Sequence, residues 1–148
     1  MADLNMVLVE AQKLNEGIRN ILKLSNYEDY DDLSGLDIDY EDGQQLFLQS
    51  ELGKIMEKLS DATDRITYLS RPVTETSCLH KNGSGRYETA GGHYYTSGSR
   101  IEALIKDDCQ EVPYWVWTRV EHDGRDYYLV GYENIRLDGL TVRVRKAV

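Results

Sequence analysis

Two stretches of the chain repeat apolar residues with a helical period. Residues 3–24 space them three and four apart, which predicts an amphipathic helix. Its apolar positions are Leu4, Val7, Leu8, Ala11, Leu14, Ile18, Ile21 and Leu22. Residues 44–70 alternate steps of four and three, the coiled-coil period. Those positions are Leu48, Leu52, Ile55, Leu59, Ala62, Ile66 and Leu69. The second helix should end at Arg71-Pro72, because a residue before proline avoids the helical region.

Two helices with one apolar row each can bury those rows against each other. The simplest arrangement is an antiparallel hairpin over residues 1–72, with the rows facing inward. An alternative is that one row also pairs with a second chain, giving a homodimeric four-helix bundle.

The period changes to two from residue 77 onward, which predicts β-strands. The predicted strands are Cys78–Lys81, Arg86–Thr89, His93–Thr96, Arg100–Ile105, Trp115–His122, Arg125–Tyr132 and Leu140–Arg145. Turn dipeptides such as Asp123-Gly124 separate them and favour tight connections. The expected fold class is therefore α+β: a helical hairpin over 1–72, then a small antiparallel β-barrel, SH3-like or OB-like in size, over 73–148.

The net charge of −9 lies almost entirely in the first half of the chain. Residues 1–72 contain 15 acidic and 7 basic side chains, whereas residues 73–148 contain 11 and 10. A strongly negative surface repels phosphates, so direct nucleic-acid binding and binding to anionic membranes are not expected. A basic protein surface is the partner that such charge favours.

The segment between the helices, residues 26–43, concentrates this charge. Eight carboxylates fall within 28–42, and no basic residue lies between Lys23 and Lys54. Asp37, Asp39 and Glu41 alternate as in an EF-hand loop, but Asp42 and Leu48 occupy the positions that need Gly and Glu, so no calcium site is predicted.

An extended chain over 37–41 would place three of these carboxylates on one side at intervals of about 6.6–6.8 Å, close to the spacing of phosphates on a nucleic-acid strand. Such an array would fit a groove lined by Arg and Lys. The alternative is a solvated acidic loop that Leu33, Leu36 and Ile38 attach to the helices. The predicted partner-binding residues are Tyr27, Glu28, Asp29, Tyr30, Asp31, Asp32, Asp37, Asp39, Tyr40, Glu41 and Asp42.

No pattern in the chain is typical of an enzyme or a metal protein, so no catalytic residue, metal or cofactor is predicted. Cys78 and His80 fall on one face of a predicted strand, yet a packed thiol beside a surface histidine explains them. Both cysteines, Cys78 and Cys109, are expected to be free, although a disulfide between them stays an alternative. Trp115 and Trp117 share a face and are expected in the core.

The C-terminal part offers a second candidate surface. Four basic residues, Arg136, Arg143, Arg145 and Lys146, cluster in sequence there. Small β domains often bind nucleic acids or peptides, so a nucleic-acid accessory role for this edge is an alternative function.

Several runs resemble a bacterial family known only as a domain of unknown function. They are Asp64–Val73, Leu79–Glu88, Thr96–Ser99 and Thr118–Gly131. The resemblance extends over roughly residues 45–148. It implies a helix followed by a β domain, and a source in Gram-positive bacteria, often on phages, plasmids or integrative elements. It implies no activity and no catalytic residues.

Small acidic proteins of mobile elements often inhibit host defence, and this analogy leads to a functional hypothesis. We expect a non-enzymatic inhibitor of the anti-CRISPR or anti-restriction type, which mimics nucleic acid and binds a nucleic-acid-binding nuclease. A structural or interaction module without inhibitory activity is the other alternative. The expected location is the cytoplasm of the bacterial host, since the N-terminus lacks a signal-peptide pattern and no apolar run is long enough to span a membrane.

Overall fold

The computed structural model describes residues 1–147, which form two compact units divided between Arg71 and Pro72. The first unit contains two α-helices, and the second contains antiparallel strands in a five-stranded and a two-stranded sheet. The predicted α+β class is confirmed. Neither helix is long and apolar enough, over the described residues, to cross a membrane.

The first helix, α1, spans Leu4–Leu24. It begins where the Asp3 carboxylate accepts a hydrogen bond from the Met6 backbone N–H at 2.9 Å, as an N-cap residue does. It ends at Ser25, whose backbone N–H donates to the Ile21 carbonyl at 3.0 Å.

The second helix, α2, spans Gly43–Ser70. Its N-cap is Asp42, whose carboxylate accepts from the Gln44 N–H at 2.9 Å. Arg71 is extended, with φ −82° and ψ 135°, because Pro72 follows it. Both helices therefore match their predicted extents to within one residue.

Polar side chains connect α1 to α2. Asn15 donates from Nδ2 to Thr67 Oγ1 at 3.1 Å and accepts from the Thr63 hydroxyl. Gln12 donates to Ser70 at 3.3 Å, and Leu22 packs with Met56. As the residue number increases along α1, the residue number of the contact partner on α2 decreases. This is the order found in helices that run in opposite directions.

The prediction that both apolar rows face inward holds for part of each row only: Leu22, Ile18 and Leu59 pack in the helix contact, whereas other members of the rows do not. The buried residues of α2 are Met56 and Thr63, each one position after a residue of the predicted row. Ile55, Leu48 and Leu69 are exposed. On α1, Asn15 and Leu22 are buried, whereas the preceding Leu14 and Ile21 are exposed. The rows are displaced because Asn15 needs polar partners at the contact, and Thr63 and Thr67 supply them.

The β unit contains seven strands: β1 (Val73–Cys78), β2 (His80–Lys81), β3 (Tyr87–Glu88), β4 (Arg100–Ile105), β5 (Tyr114–His122), β6 (Tyr127–Leu129) and β7 (Thr141–Arg145). The five-stranded sheet has the order β1-β7-β4-β5-β6, and β2 pairs with β3. The predicted closed barrel, SH3-like or OB-like, is not found, because no pairing between the edge strands β1 and β6 closes the sheet within residues 1–147.

One face of the five-stranded sheet covers the core. Ile101, Ala103 and Ile105 alternate along β4 and are fully buried, and Val120, Leu129 and Val142 join them from neighbouring strands. This alternation is the period of two that predicted these strands. Trp115 and Trp117 lie outside that core cluster, so their predicted core position is wrong.

The strand predictions succeed best where the alternation is apolar. The extent of β4 is confirmed residue for residue, and the predicted hairpin around Asp123-Gly124 is formed by β5 and β6. The predicted strand His93–Thr96 makes only an isolated bridge between Glu88 and Tyr94. β1 starts at Val73, four residues before the period becomes visible, because the side chains on both of its faces are polar from Thr74 to Ser77.

A single carboxylate holds the loop that follows β3. Glu75 accepts hydrogen bonds from the Gly91 N–H at 2.9 Å, from the Ser77 hydroxyl at 2.8 Å and from the Thr89 hydroxyl at 2.9 Å. A Cβ at Gly91 would approach the Glu75 carboxylate to 2.6 Å, so a larger residue there would displace the Glu75 side chain. The Gly91 hydrogen bond, followed by those of Ser77 and Thr89, lowers the pKa of Glu75.

We expect Glu75→Ala to lower the free energy of unfolding by about 1–3 kcal/mol, because three donors lose their acceptor. Urea denaturation at neutral pH measures the loss. Glu111→Ala, which removes an exposed carboxylate, is the matched control and should change little. Equal effects of the two substitutions would contradict the role of Glu75.

The same contact predicts a pH dependence. Because the folded-state pKa of Glu75 is lowered, its stabilisation is complete above the ordinary value of 4.5 and is lost as the pH falls through the folded-state pKa. The difference in unfolding free energy between the natural chain and Glu75→Ala should therefore narrow below about pH 4.5. A difference that stays constant through this range would contradict the assignment.

Candidate functional site

The segment between the helices, residues 26–42, is called the acidic segment below. Leu33 is its most buried contact with the helices. Leu33 is only 1% exposed and packs in a cluster with Leu22 and Met56, against which Tyr27 and Leu36 are partly buried. Leu33 has a φ of +62°, an unfavourable conformation for a branched side chain. Burial of its side chain compensates for that backbone strain. The prediction that Leu33, Leu36 and Ile38 attach the segment to the helices is confirmed for Leu33 and Leu36, whereas Ile38 is half-buried and lies outside this cluster.

Hydrogen bonds hold the backbone of the segment in successive turns. Tyr30 N–H donates to the Asn26 carbonyl and Leu33 N–H donates to the Tyr30 carbonyl, both at 2.9 Å. Two glutamines of α2 secure it from the side. Gln49 donates to the Asp32 carbonyl at 2.9 Å, and the Gln45 side chain accepts from the Asp39 N–H at 2.7 Å. The segment is therefore an ordered surface with a defined shape.

The predicted extended run over residues 37–41 does not form as a whole. The Asp39 carboxylate accepts from the Glu41 N–H at 3.0 Å, and the Asp42 N–H donates to the Asp39 carbonyl at 3.1 Å. The chain turns there to enter α2, so Glu41 does not continue an extended line from Asp37 and Asp39. The expected phosphate-like spacing of all three carboxylates is wrong for this reason.

The eight carboxylates divide into two groups. Asp32, Asp39 and Asp42 each accept a backbone hydrogen bond within the segment or at the start of α2. Hydrogen bonds from Ser34 lower the pKa of Asp32. The other five carboxylates are exposed and make no hydrogen bond or ion pair inside the described residues. These five, called the outward carboxylates below, are Glu28, Asp29, Asp31, Asp37 and Glu41.

Three tyrosines lie among these carboxylates. The Tyr30 ring packs on Gly35, where an added Cβ would approach it to 2.5 Å. Tyr30 and Tyr40 are nevertheless exposed, so both present aromatic surface next to the outward carboxylates. Tyr27 is half-buried. Burial raises its pKa, and the carboxylates of Glu57, Asp31 and Asp61 raise it further.

The segment carries all the net charge of its unit. Residues 1–25 contain three acidic and three basic side chains, and residues 43–71 contain four of each. The excess of eight negative charges therefore belongs to residues 26–42 alone. Two ion pairs of this unit, Lys13–Glu10 and Lys54–Glu51, each join side chains of a single helix and involve no carboxylate of the segment.

Metal chemistry finds no support in the geometry. Across residues 1–147, no three His, Cys, Asp or Glu side chains are arranged to hold a metal ion. Cys78 and His80 also make separate contacts. The Cys78 thiol lies 3.7 Å from the Thr141 hydroxyl, and His80 lies 3.2 Å from the Glu88 carboxylate.

The predicted basic edge of the β unit is partly neutralised. Glu102, which is 4% exposed, accepts hydrogen bonds from both Arg143 and Arg145, the latter at 2.8 Å between Nε and Oε1. The Arg143 guanidinium also lies 4.2 Å from the centre of the Trp115 ring. Half of the predicted basic cluster is thus engaged within the sheet.

Sequence reasoning missed Glu102 as a site residue. A signal was present, because Glu102 interrupts an apolar strand, and Arg143 and Arg145 alternate in the last strand. These two patterns point to an ion pair only if β4 and β7 are known to be neighbours, with Glu102 opposite Arg143.

Comparison with known protein families gives a match to the β unit. Residues 77–144 match a family described as a domain of unknown function (DUF5348). The match covers less than half of the chain, falls entirely in the β unit and does not include the acidic segment. No curated protein and no solved structure matches the chain. The resemblance read from the sequence is thereby supported for the β unit, and not for residues 45–76.

We expect Leu33→Ala to loosen the acidic segment and to lower the free energy of unfolding by about 2–4 kcal/mol, because it removes the most buried side chain of this unit. Urea denaturation and hydrogen exchange of the amides in 26–42 measure both effects. Tyr40→Ala removes an exposed side chain of the same segment and should change stability by less than about 0.5 kcal/mol. Unchanged exchange rates in Leu33→Ala would contradict the anchoring role.

Proposed function

We propose that the chain is a non-enzymatic binding protein whose acidic segment occupies a nucleic-acid site on a basic partner. The observation that carries this proposal is an ordered surface of outward carboxylates, none of which forms an ion pair within the described residues, on a segment whose sequence contains no basic residue. A disordered acidic tail would have to lose conformational entropy on binding. This segment is already held by Leu33 and by the glutamines of α2, so that cost is smaller.

The partner we propose is a nuclease of host defence, with the chain acting as an anti-CRISPR or anti-restriction protein of a phage or other mobile element. A guide-loaded CRISPR nuclease holds its heteroduplex in a positively charged channel. Carboxylates there would form charge-assisted hydrogen bonds with Arg and Lys in place of phosphates. Tyr30 and Tyr40 would add aromatic contacts.

The scaffold for this segment is, in our proposal, an antiparallel helical hairpin. The order of the Gln12–Ser70, Asn15–Thr67 and Leu22–Met56 contacts supports it. In such a hairpin the connecting segment lies beyond the end of α1, against the first half of α2. From there the outward carboxylates can reach into a channel. The proposed site of action is the cytoplasm of a bacterial host.

The charge of the outward carboxylates is testable by isosteric neutralisation. We expect the combined substitutions Glu28→Gln, Asp29→Asn, Asp31→Asn, Asp37→Asn and Glu41→Gln to abolish inhibition and leave the fold intact, since none of these carboxylates makes a hydrogen bond or an ion pair within the described residues. The measurement is DNA cleavage by a guide-loaded CRISPR nuclease and by a restriction endonuclease, each titrated with the natural chain and with the variant.

The matched control removes five carboxylates from the helices: Glu10→Gln, Glu16→Gln, Glu51→Gln, Glu57→Gln and Asp61→Asn. It has the same net charge as the first variant, so it separates the position of the charge from its amount. We expect the control to retain inhibition. Equal loss in both variants would show a nonspecific charge effect, and no loss in the first variant would refute the proposal.

Salt dependence gives an independent measurement. Binding through the outward carboxylates should weaken by about tenfold or more between about 50 and 200 mM salt, because exposed charges are screened over that range. Capture of a partner from a bacterial lysate on the immobilised chain, followed by a salt gradient, measures this. Partners retained equally at low and high salt would contradict binding through charge.

A further inference from the structure

The two-helix unit exposes a broad apolar surface. Six large side chains are between 41% and 65% exposed, far more than helices that bury their rows against each other would leave. They are Val7, Leu14, Ile21, Leu48, Ile55 and Leu69. On α1 these residues recur every seven positions, and on α2 they share a seven-residue spacing from 48 to 69 with Ala62. That spacing is the pattern of a coiled-coil row.

Both rows lie on the same side of the unit. Leu14 and Ile21 each precede a buried residue of α1, Asn15 and Leu22, by one position, which is a rotation of about 100°. Ile55 precedes the buried Met56 of α2 in the same way. Because the helices run in opposite directions, the residue that precedes a buried contact residue by one position lies on the same side of the unit in both helices. The rows therefore form one continuous face, called the apolar face below.

The opposite side of the unit is polar and partly covered. Arg19, Lys23, Asp64 and Thr67 line one cavity there. The acidic segment lies on that side as well, since Asp31 and Asp32 line a second cavity with Gln49, Gly53 and Glu57 of α2. The acidic segment thus leaves the apolar face open.

We propose that the apolar face is the interface with a second copy of this chain, which forms a four-helix bundle. The six side chains expose on the order of 600 Å² of apolar surface, which is the upper range for a monomer and near the roughly 800 Å² that each partner buries in a standard interface. A second copy supplies two further rows with the same seven-residue spacing, as an interface related by a two-fold axis requires.

Charge permits this self-association. Apart from the acidic segment, each helix region has equal numbers of acidic and basic residues, so two apolar faces meet without net repulsion. A membrane surface is a poorer occupant, because interfacial helices usually carry an excess of Lys and Arg. In the dimer both acidic segments stay accessible, since they lie away from the interface.

Sedimentation equilibrium of the full chain tests this inference. We expect a particle of twice the 17.0 kDa chain mass at concentrations from about 10 to 200 μM. The double substitution Leu14→Gln and Ile55→Gln should weaken dimerisation by about 100-fold or more, because it removes four large apolar side chains from the interface of two copies. Net charge does not change.

The matched control is Lys23→Gln with Glu57→Gln, which also preserves net charge but alters the opposite side. It should dimerise like the natural chain. Circular dichroism checks that each variant is folded, and Val7→Gln with Ile21→Gln is a second disrupting pair if the first does not fold. A natural chain that remains at 17.0 kDa over the whole range overturns the proposal. A dimer that survives both disrupting pairs also overturns it.

The salt response separates this inference from the proposed function. Dimerisation through apolar side chains should persist between about 0.1 and 1 M salt, whereas binding through the outward carboxylates should be lost. The variant in which amides replace the five outward carboxylates should therefore still dimerise. The Leu14→Gln, Ile55→Gln variant should still bind the partner of the acidic segment. Either proposal can fail without the other.

Discussion

The hydrogen bonds of Asn15 with Thr63 and Thr67 determine how the two helices are oriented about their axes. A buried amide that lacks partners is costly, so α2 turns its threonines toward α1. That rotation turns the seven-residue rows of the apolar face away from the contact by about 100°. The exposed apolar face, the covered polar side and the position of Met56 beneath Leu33 all follow from it.

The acidic segment depends on the same arrangement. Leu22 and Met56 leave a gap at the end of the helix contact, and Leu33 fills it at the cost of a left-handed backbone conformation. Once Leu33 is held, Gln45 and Gln49 fix the turns on either side, and five carboxylates point outward. An acidic surface with a defined shape thus arises from one apolar contact, although most of its residues are charged.

In the β unit, by contrast, two carboxylates have their hydrogen-bond partners within the unit. Glu102 and Glu75 are each surrounded by donors, one by two arginines and the other by two hydroxyls and a backbone amide. Its charges therefore stabilise the sheet and its loops, and little net charge is left for a partner. The family match lies entirely in this unit, whereas the features that support a function lie in the other. The two units thus divide structural and binding roles in our proposal.

Local sequence determined the boundaries of both helices and of some strands. The extents of α1, α2, β4 and the Asp123-Gly124 hairpin follow from side-chain period, capping residues and turn dipeptides, which act over a few positions, and the acidity of residues 26–42 is a matter of composition. Tertiary structure decided the rest. A heptad pattern does not determine which of two adjacent rows on a helix is buried. The contact of Asn15 with α2 determined which row was buried here. Likewise, no local signal predicts that Glu102 pairs with Arg143 and Arg145. The same is true of the burial of Leu33 in a gap between the helices and of the open sheet. Each of these features depends on residues that are distant in the chain.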